Sequence, residues 1–305
     1  MASTTNYDVI ILGGGPAGIS AAVWCADLGL KAVLIEERTE LGGQLPRIFA
    51  PITNYPGLST ENGIDMRDRL VESLRPTNCT IRTNTSCRRC DVHSKTVVLE
   101  DGDSIQGKAI MIATGVRRRH LKVAGELEFA GRGILDSGAK DKDLVRDAHV
   151  VIVGGGDATL ENALVLSKNA RTVTVVHRGK DFSARNEFVE AAKGRPNIIF
   201  KTMHTVRRFL GNEKLEGIEL IDEIGNPSTI DVQFALIRIG VEPNTELFRG
   251  QLDLDEKNYV AVACNFVTSI PNVYAIGDVA CPNVPTIATA IGSAAIAVKE
   301  LKLTV

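Results

Sequence analysis

The chain carries one strand–turn–helix–strand pattern twice. Near its start, "YDVIILGGGPAG" runs an apolar strand into Gly13, Gly15 and Gly18. Halfway along, "AHVVIVGGGDAT" repeats it with Gly154, Gly156 and then Thr159 in place of a third glycine. In both copies a helix follows, and a second strand ends 23 residues after the first glycine, at Glu36 and at His177. Glycines at this spacing make a tight turn, let backbone approach a ligand and open a helix whose N-terminus favours an anion. A single G-x-G-x-x-G is a weak signal, whereas two in matching contexts constrain the chain to two βαβ units, each shaped for a dinucleotide.

The 305 residues suffice for two domains of ordinary size. A net charge of −2 and an apolar fraction of 44% describe a globular protein and give no reason to expect nucleic acid or a membrane as partner. The N-terminus has no basic region followed by an unbroken apolar run, so a secretory signal is not expected and the cytoplasm is the default location. The cysteines (25, 79, 87, 90, 264 and 281) contain one C-x-x-C, Cys87-Arg88-Arg89-Cys90. With no second pair or Cys/His cluster near it, no structural metal is expected. It lies between "NCTIRT" and "KTVVLEDGDSI", a stretch that reads as β-meander. Residues three apart on a regular strand face opposite ways, so a disulfide there needs a bulge or turn.

The first unit reads as a buried strand at 7–12, a helix from Gly15 to about Leu28, and the strand "KAVLIEE". A loop from Gly42 to Gly63, the helix "IDMRDRLVESLR", the meander and "AIMIATG" follow. The basic text "VRRRHL" at 116–121 reads as a hinge; its arginines, with Lys122, suit either a solvated interdomain face or the docking of an acidic protein. The second unit opens near His149 and its meander closes near Gly240. The remaining tail, "NVYAIGDV" and then an apolar helix, is too small to form a core alone, so it should return to complete the first domain. The expected class is α/β: two Rossmann-like dinucleotide-binding domains, the second inserted in the first, each a three-layer ββα arrangement with a β-meander. The expected boundaries are 1–116 with 245–305 and, between them, 117–244.

Glu36 is suited to accept hydrogen bonds from a ribose diol. His177 and Arg178 replace it in the second copy, and a cation there favours a 2′-phosphate and therefore NADPH over NADH, with Lys180 and Arg185 near enough to contribute. Asp278, after Gly277 at the end of an apolar strand, can bind a cofactor hydroxyl. Trp24 falls inside the first helix and reads as core or partly covered surface.

In order, "GGGPAG", "GGQL", "NYPG", "IATG", "GRG", "VVIVGGGDA", "VVHR", "RIGVEPNTELF" and "NVYAIGDV" resemble the low-molecular-weight thioredoxin reductases and their flavoprotein relatives, nearly end to end. The resemblance implies FAD in the discontinuous domain, a pyridine nucleotide in the inserted one, and a homodimer. It places FAD against Gly13, Gly15, Pro16, Ala17, Gly18, Glu36, Gly43, Gln44, Leu45, Asn54, Ala113, Thr114, Gly115, Gly277 and Asp278, with Ile287 and Ala288 near the flavin ring. It places the nicotinamide nucleotide against Gly154, Gly156, Asp157, Ala158, His177, Arg178 and Arg185.

The departures from the family's pattern concern electron flow. Counted without gaps, the family's C-x-x-C dithiol falls on Ser137 and Lys140, and neither can form a thiolate. Asp141 matches the acid beside that dithiol. The family's further nucleotide-binding arginines fall on Gly179 and Ser183, its threonine-rich run after Leu45 becomes Pro46-Arg47-Ile48-Phe49, and its Arg-Gln before the last helix becomes Pro285-Thr286. No catalytic side chain is assigned. The expected activity is NADPH oxidation through the flavin to a non-dithiol acceptor such as ferredoxin or flavodoxin. Three alternatives stand beside it: disulfide chemistry at Cys87 and Cys90, a second flavin nucleotide in the NADPH site, and FAD binding without turnover.

Overall fold

The computed structural model describes residues 4–304. The chain divides into two compact units, Met1–Arg117 with Glu242–Val305, and Arg118–Val241.

The core of the first unit is a parallel sheet. The strand Thr4–Leu12 lies between Ala32–Ile35 and Ser104–Ile112; Thr80–Arg82 extends one side and Val273–Ala275 the other. Val9, Ile10, Ile11 and Leu12 are all buried. Consecutive burial means both faces of the sheet are covered, which an alternating strand would not tolerate. On one face the helices Pro16–Asp27 and Ile287–Lys302 pack Ile19, Ala22, Ala294 and Val298 against Val9 and Ile11. On the other, Val92, Val97, Leu99 and Phe248 pack against Ile10 and Ile110. Each of the valine, leucine, isoleucine and phenylalanine side chains contributes roughly 1.5–3 kcal/mol by leaving water.

The meander is built from Cys87–Asp91, Thr96–Leu99 and Ser104–Ile112. The last of these is shared. Its first half pairs antiparallel with Thr96–Val98 and its second half parallel with Val273–Ala275, while Thr4–Leu12 runs along its other edge. Thr80–Arg82, which the sequence suggested as part of the meander, instead joins the parallel sheet beside Val33–Ile35. The returning tail supplies both the fifth parallel strand and the Ile287–Lys302 helix.

The second unit repeats the plan. Its parallel sheet runs Ile198–Lys201, Thr172–Val176, His149–Gly154, Phe234–Arg238, Ile134–Leu135. Helices Asp157–Leu166 and Asn186–Lys193 bury Leu160, Ala163 and Ala192 on one face. An antiparallel meander of His204–Gly211, Leu215–Asp222 and Pro227–Asp231 buries Phe209, Leu215 and Ile218 on the other. Both units are therefore the three-layer α/β arrangement expected from the doubled motif. No helix among the described residues is long and apolar enough to cross a membrane.

Candidate functional site

The first glycine turn lies at the carboxyl end of the central strand, where parallel sheets present their ligands. Gly13 has φ +107°, and a Cβ there would lie 2.4 Å from the Ala113 carbonyl oxygen. A Cβ at Gly18 would fall 1.9 Å from the Gly13 carbonyl oxygen, so helix and turn touch through bare backbone. The helix that follows begins at Pro16 with no side-chain cap. By contrast, the Gly63–Glu72 helix is capped by Asn62 and the Ile287–Lys302 helix by Thr286. An uncapped start leaves backbone N–H groups facing outward, toward an anion.

Around this turn lies a cavity of about 660 Å³, within the size range of small-molecule and cofactor sites. Its walls include Gly13, Gly15, Pro16, Ala17, Glu36, Gly43, Gln44, Leu45, Ala113, Thr114, Gly115, Gly277, Asp278 and Ile287. Of the other residues assigned to FAD from the sequence, three do not line it. Gly18 is covered by the turn it packs against, and Asn54 and Ala288 are exposed outside it. One helical step explains Ala288: Ile287 and Ala290 face the cavity, so Ala288 is rotated away.

Two carboxylates in the cavity are held differently. Glu36 is 7% exposed; its Oε2 accepts from the Gly14 N–H at 2.6 Å and its Oε1 from the Arg38 N–H at 3.0 Å. It is aimed by the turn, with lone pairs left for further donors. Asp278 has no hydrogen-bond or ion-pair partner among the described residues, and burial pushes its carboxyl above the usual carboxylate range. A desolvated, unpartnered carboxylate on a cavity wall is a poor structural choice and a good acceptor for a ligand hydroxyl. The uncapped helix, the glycines with no room for a side chain and this carboxylate together fit a dinucleotide.

Several wall residues were not singled out from the sequence. Asn244 fastens the returning chain to the "IATG" turn: Thr114 Oγ1 donates to its carbonyl at 2.7 Å, and its Nδ2 donates to the Thr114 carbonyl at 2.8 Å. Arg117 donates to Asn244 Oδ1 and pairs with Glu242 and Glu246. Glu37, Arg38, Thr85 and Ser86 line the same cavity, as does Cys87 of the C-x-x-C. No residue-type signal placed any of them here, because these segments reach the cavity only through the fold.

Cys87 and Cys90 are both free thiols. A bulge interrupts the pairing of this strand between Cys87 and Arg89, yet Cys90 is buried and Cys87 only partly covered. Burial pushes the Cys87 thiol up to about 11 and the Cys90 thiol higher still. Neither is held as the thiolate that disulfide exchange needs. The arginine run that suggested acidic docking is likewise committed. Arg117 is paired as above, Arg118 Nη1 meets Asp136 Oδ1 at 2.8 Å, and Arg119 Nε donates to the Val241 carbonyl. Trp24 is partly buried, with the Lys299 ammonium 5.0 Å above its ring.

The second glycine turn has the same geometry and different side chains. Gly154 has φ +151°, with the Arg238 carbonyl oxygen 2.1 Å from where a Cβ would lie. Thr159 is fully buried; its hydroxyl donates to that Arg238 carbonyl at 3.2 Å, so the β-branched residue at the close-packing point is satisfied by the neighbouring strand. His177 takes the place of Glu36. Its ring lies against Gly155, within 2.2 Å of a Cβ there, stacks on Phe182 and bonds through Nε2 to the Asp181 carbonyl. Asp157, at the uncapped start of the helix, accepts from the Arg185 N–H at 2.7 Å and from its Nε at 2.8 Å, which holds its carboxyl below the usual range. Arg185 also pairs with Glu187 and stacks over Phe188, so it serves the loop that borders the turn. Ala158 is exposed, and Arg178 and Lys180 are exposed cations with no ion pair among the described residues.

Ser137 and Lys140 differ in setting. Ser137 is buried, and its N–H donates to Asp141 Oδ2 at 2.9 Å, as does the Asp136 N–H at 3.0 Å. Asp141 thus pins the turn into a four-residue helix, and Lys140 points to solvent. No cysteine occurs anywhere in the second unit.

Residues 7–300 match the family model described as pyridine nucleotide-disulphide oxidoreductase. A thioredoxin reductase of Mycolicibacterium smegmatis is 36% identical over 301 residues, spanning 95% of this chain and 94% of that protein. A thioredoxin reductase of Listeria innocua is 30% identical, over 97% and 95%. The crystal structure of Lactococcus lactis thioredoxin reductase, in its FR conformation, superposes with a TM-score of 0.83 at 28% identity and covers 98% of this chain and 100% of that one. Thioredoxin reductases of this family use FAD and NADPH. With two dinucleotide-shaped turns on one repeated fold and a family match over nearly its whole length, this chain belongs to the pyridine nucleotide-disulphide oxidoreductases.

Proposed function

We propose that the chain is an FAD-dependent oxidoreductase that takes electrons from NADPH and passes them from the flavin directly to an acceptor, with no dithiol of its own between them. The observation that carries this reading is the distribution of sulfur. The unit that would hold the relay has no cysteine, and the two positions where the relay would stand are a buried serine and an exposed lysine.

Bound FAD would supply reversible acceptance of a hydride from a nicotinamide. The chain's own residues bind and orient. Backbone N–H groups of the first turn and the uncapped helix would hold the pyrophosphate, Glu36 would accept from the ribose diol, and Asp278 would accept from a further cofactor hydroxyl. Leu45, Ile48 and Ile287 would supply apolar wall to the bound group. In the second unit Arg178 and Lys180 would offer cations to a 2′-phosphate, while the Asp157–Arg185 pair holds the loop beside the turn.

The names of the relatives make thioredoxin the first acceptor to test. The second reading, disulfide chemistry at Cys87 and Cys90, has the spacing in its favour and the burial of both thiols against it. An anaerobic titration separates these. The purified protein should carry about one flavin per chain, and NADPH should bleach its absorption band faster than NADH does. The reduced protein should then pass electrons to a ferredoxin, a flavodoxin or an artificial acceptor, and leave oxidised thioredoxin unreduced. Bleaching by neither nucleotide would sink the reductase reading. Turnover of thioredoxin would sink the non-dithiol one, and its loss in Cys87→Ser would move the chemistry to the C-x-x-C.

A further inference from the structure

The Cys87–Cys90 segment has a second feature besides its thiols. On a regular strand Arg88 and Arg89 would face opposite sides of the meander. The bulge between Cys87 and Arg89 removes that alternation, and both arginines stand exposed. Together with His93 they line an open depression of about 500 Å³ that shares Glu246 and Leu247 with the large cavity.

The polar groups of this depression are unequal in their commitments. Asp91 is spent on its own turn, accepting from the His93 and Ser94 N–H groups. Glu246 is paired with Arg117. Gln251 clamps the floor: its Oε1 accepts from the Val92 N–H at 3.1 Å, and its Nε2 donates to the Cys90 and Leu247 carbonyls, both at 2.9 Å. Among the described residues, Arg88 and Arg89 have no hydrogen bond or ion pair from their guanidinium groups. Neither carboxylate is paired with Arg88 or Arg89, the floor is fixed, and two planar forks are left over.

We propose that this depression binds a small phosphate-bearing anion of the pyrophosphate class. Adjacent guanidinium groups match neighbouring phosphates because each presents paired N–H donors to two oxygens. Two exposed guanidinium groups bordering one open depression match a small anion that carries several phosphate oxygens. The site is built from the meander and the Glu246–Gln251 stretch of the returning chain, and it does not depend on the electron acceptor.

The test uses the flavin-loaded protein saturated with NADP⁺, titrated with inorganic pyrophosphate and, separately, with ADP, by calorimetry at constant ionic strength. Saturable binding of pyrophosphate is expected, weakened about tenfold or more in Arg88→Ala/Arg89→Ala and less in the double lysine variant, which keeps charge without the fork. Equal affinities for both ligands mark a bare phosphate site; tighter ADP marks a nucleoside contact as well. If the double alanine variant loses its flavin, Arg88→Gln alone is measured against the same titration. Absence of saturable binding, equal binding of sulfate, or unchanged affinity in the arginine variants overturns the proposal.

Discussion

The two glycine turns share a backbone and differ in what leans on them. In the first, Glu36 accepts from the Gly14 N–H and the helix touches the turn through Gly18. In the second, the His177 ring covers Gly155, and Thr159 fills the contact with a hydroxyl bonded to Arg238. The backbone geometry of each turn is thus set by its first glycine, Gly13 or Gly154, whose positive φ and backbone contacts leave no place for a side chain. The third position and the end of the second strand remain free to change, and they set tightness and charge. One unit carries a carboxylate at this strand end, and the other carries His177 followed by the exposed Arg178.

The largest expected break in this comparison is at the third position. Gly18→Ala puts a methyl group 1.9 Å from the Gly13 carbonyl, so helix or turn must move, at a cost of about 3 kcal/mol or more and with loss of bound flavin. Thr159→Ala removes one hydrogen bond from a site already shaped for a side chain, at about 1–2 kcal/mol, with the second turn intact. Denaturant unfolding and flavin stoichiometry measure both; equal effects would mean that the two turns do not differ as described.

A smaller effect is expected from exchanging the residues that lean on the turns. Glu36→Gln keeps the shape and loses the charge, and flavin affinity should fall by about ten- to a hundredfold, read as the dissociation constant from flavin fluorescence. His177→Glu should bring the second turn toward the first and shift preference from NADPH toward NADH by about tenfold, through repulsion of the 2′-phosphate. An unchanged nucleotide ratio would show that the charge at this strand end does not select the nucleotide.

The smallest effect concerns Asp278, whose carboxyl burial pushes up. The folded, flavin-free protein then holds a proton more tightly than the unfolded chain does, so its stability falls as pH rises from the ordinary carboxylate range through the raised folded value. Above the raised folded value the full penalty is present. Asp278→Asn should therefore raise the melting temperature of the flavin-free protein at pH 7, and the difference should shrink as pH falls toward 4. The same variant should bind flavin more weakly. A variant less stable at pH 7 would mean that Asp278 is a structural residue.

Much of this was legible before any coordinates. The buried runs at 7–12 and 149–154, the helices after them and the return of "NVYAIGDV" to the first sheet follow from apolar text without alternation, which only a doubly covered parallel strand accommodates. The cavity positions of Glu36 and Asp278 followed because a residue at the end of a parallel strand faces the ligand edge. Other features left no local trace. Asn54 and Ala288 were assigned by motif and lie outside the cavity, because a loop path and a helical rotation are decided by packing. Thr80–Arg82 left the meander for the sheet because Val33–Ile35 offered it an open edge.

By itself the sequence determined the repeated α/β plan, the two glycine turns and the absence of cysteine from the second unit, since these depend on residue type and spacing along the chain. Only the tertiary structure decided that Arg185 and the 117–119 arginines are already paired. It also decided that Asn244 closes the first cavity, that both C-x-x-C thiols are suppressed, and that Arg88 and Arg89 share one depression. The physical reason is common to all of these. Charge and hydrogen-bonding capacity can be read from a residue's name, but whether they are spent depends on what the fold brings beside them: a partner 130 residues away for Thr114, one 28 residues away for Arg185, or a single bulge.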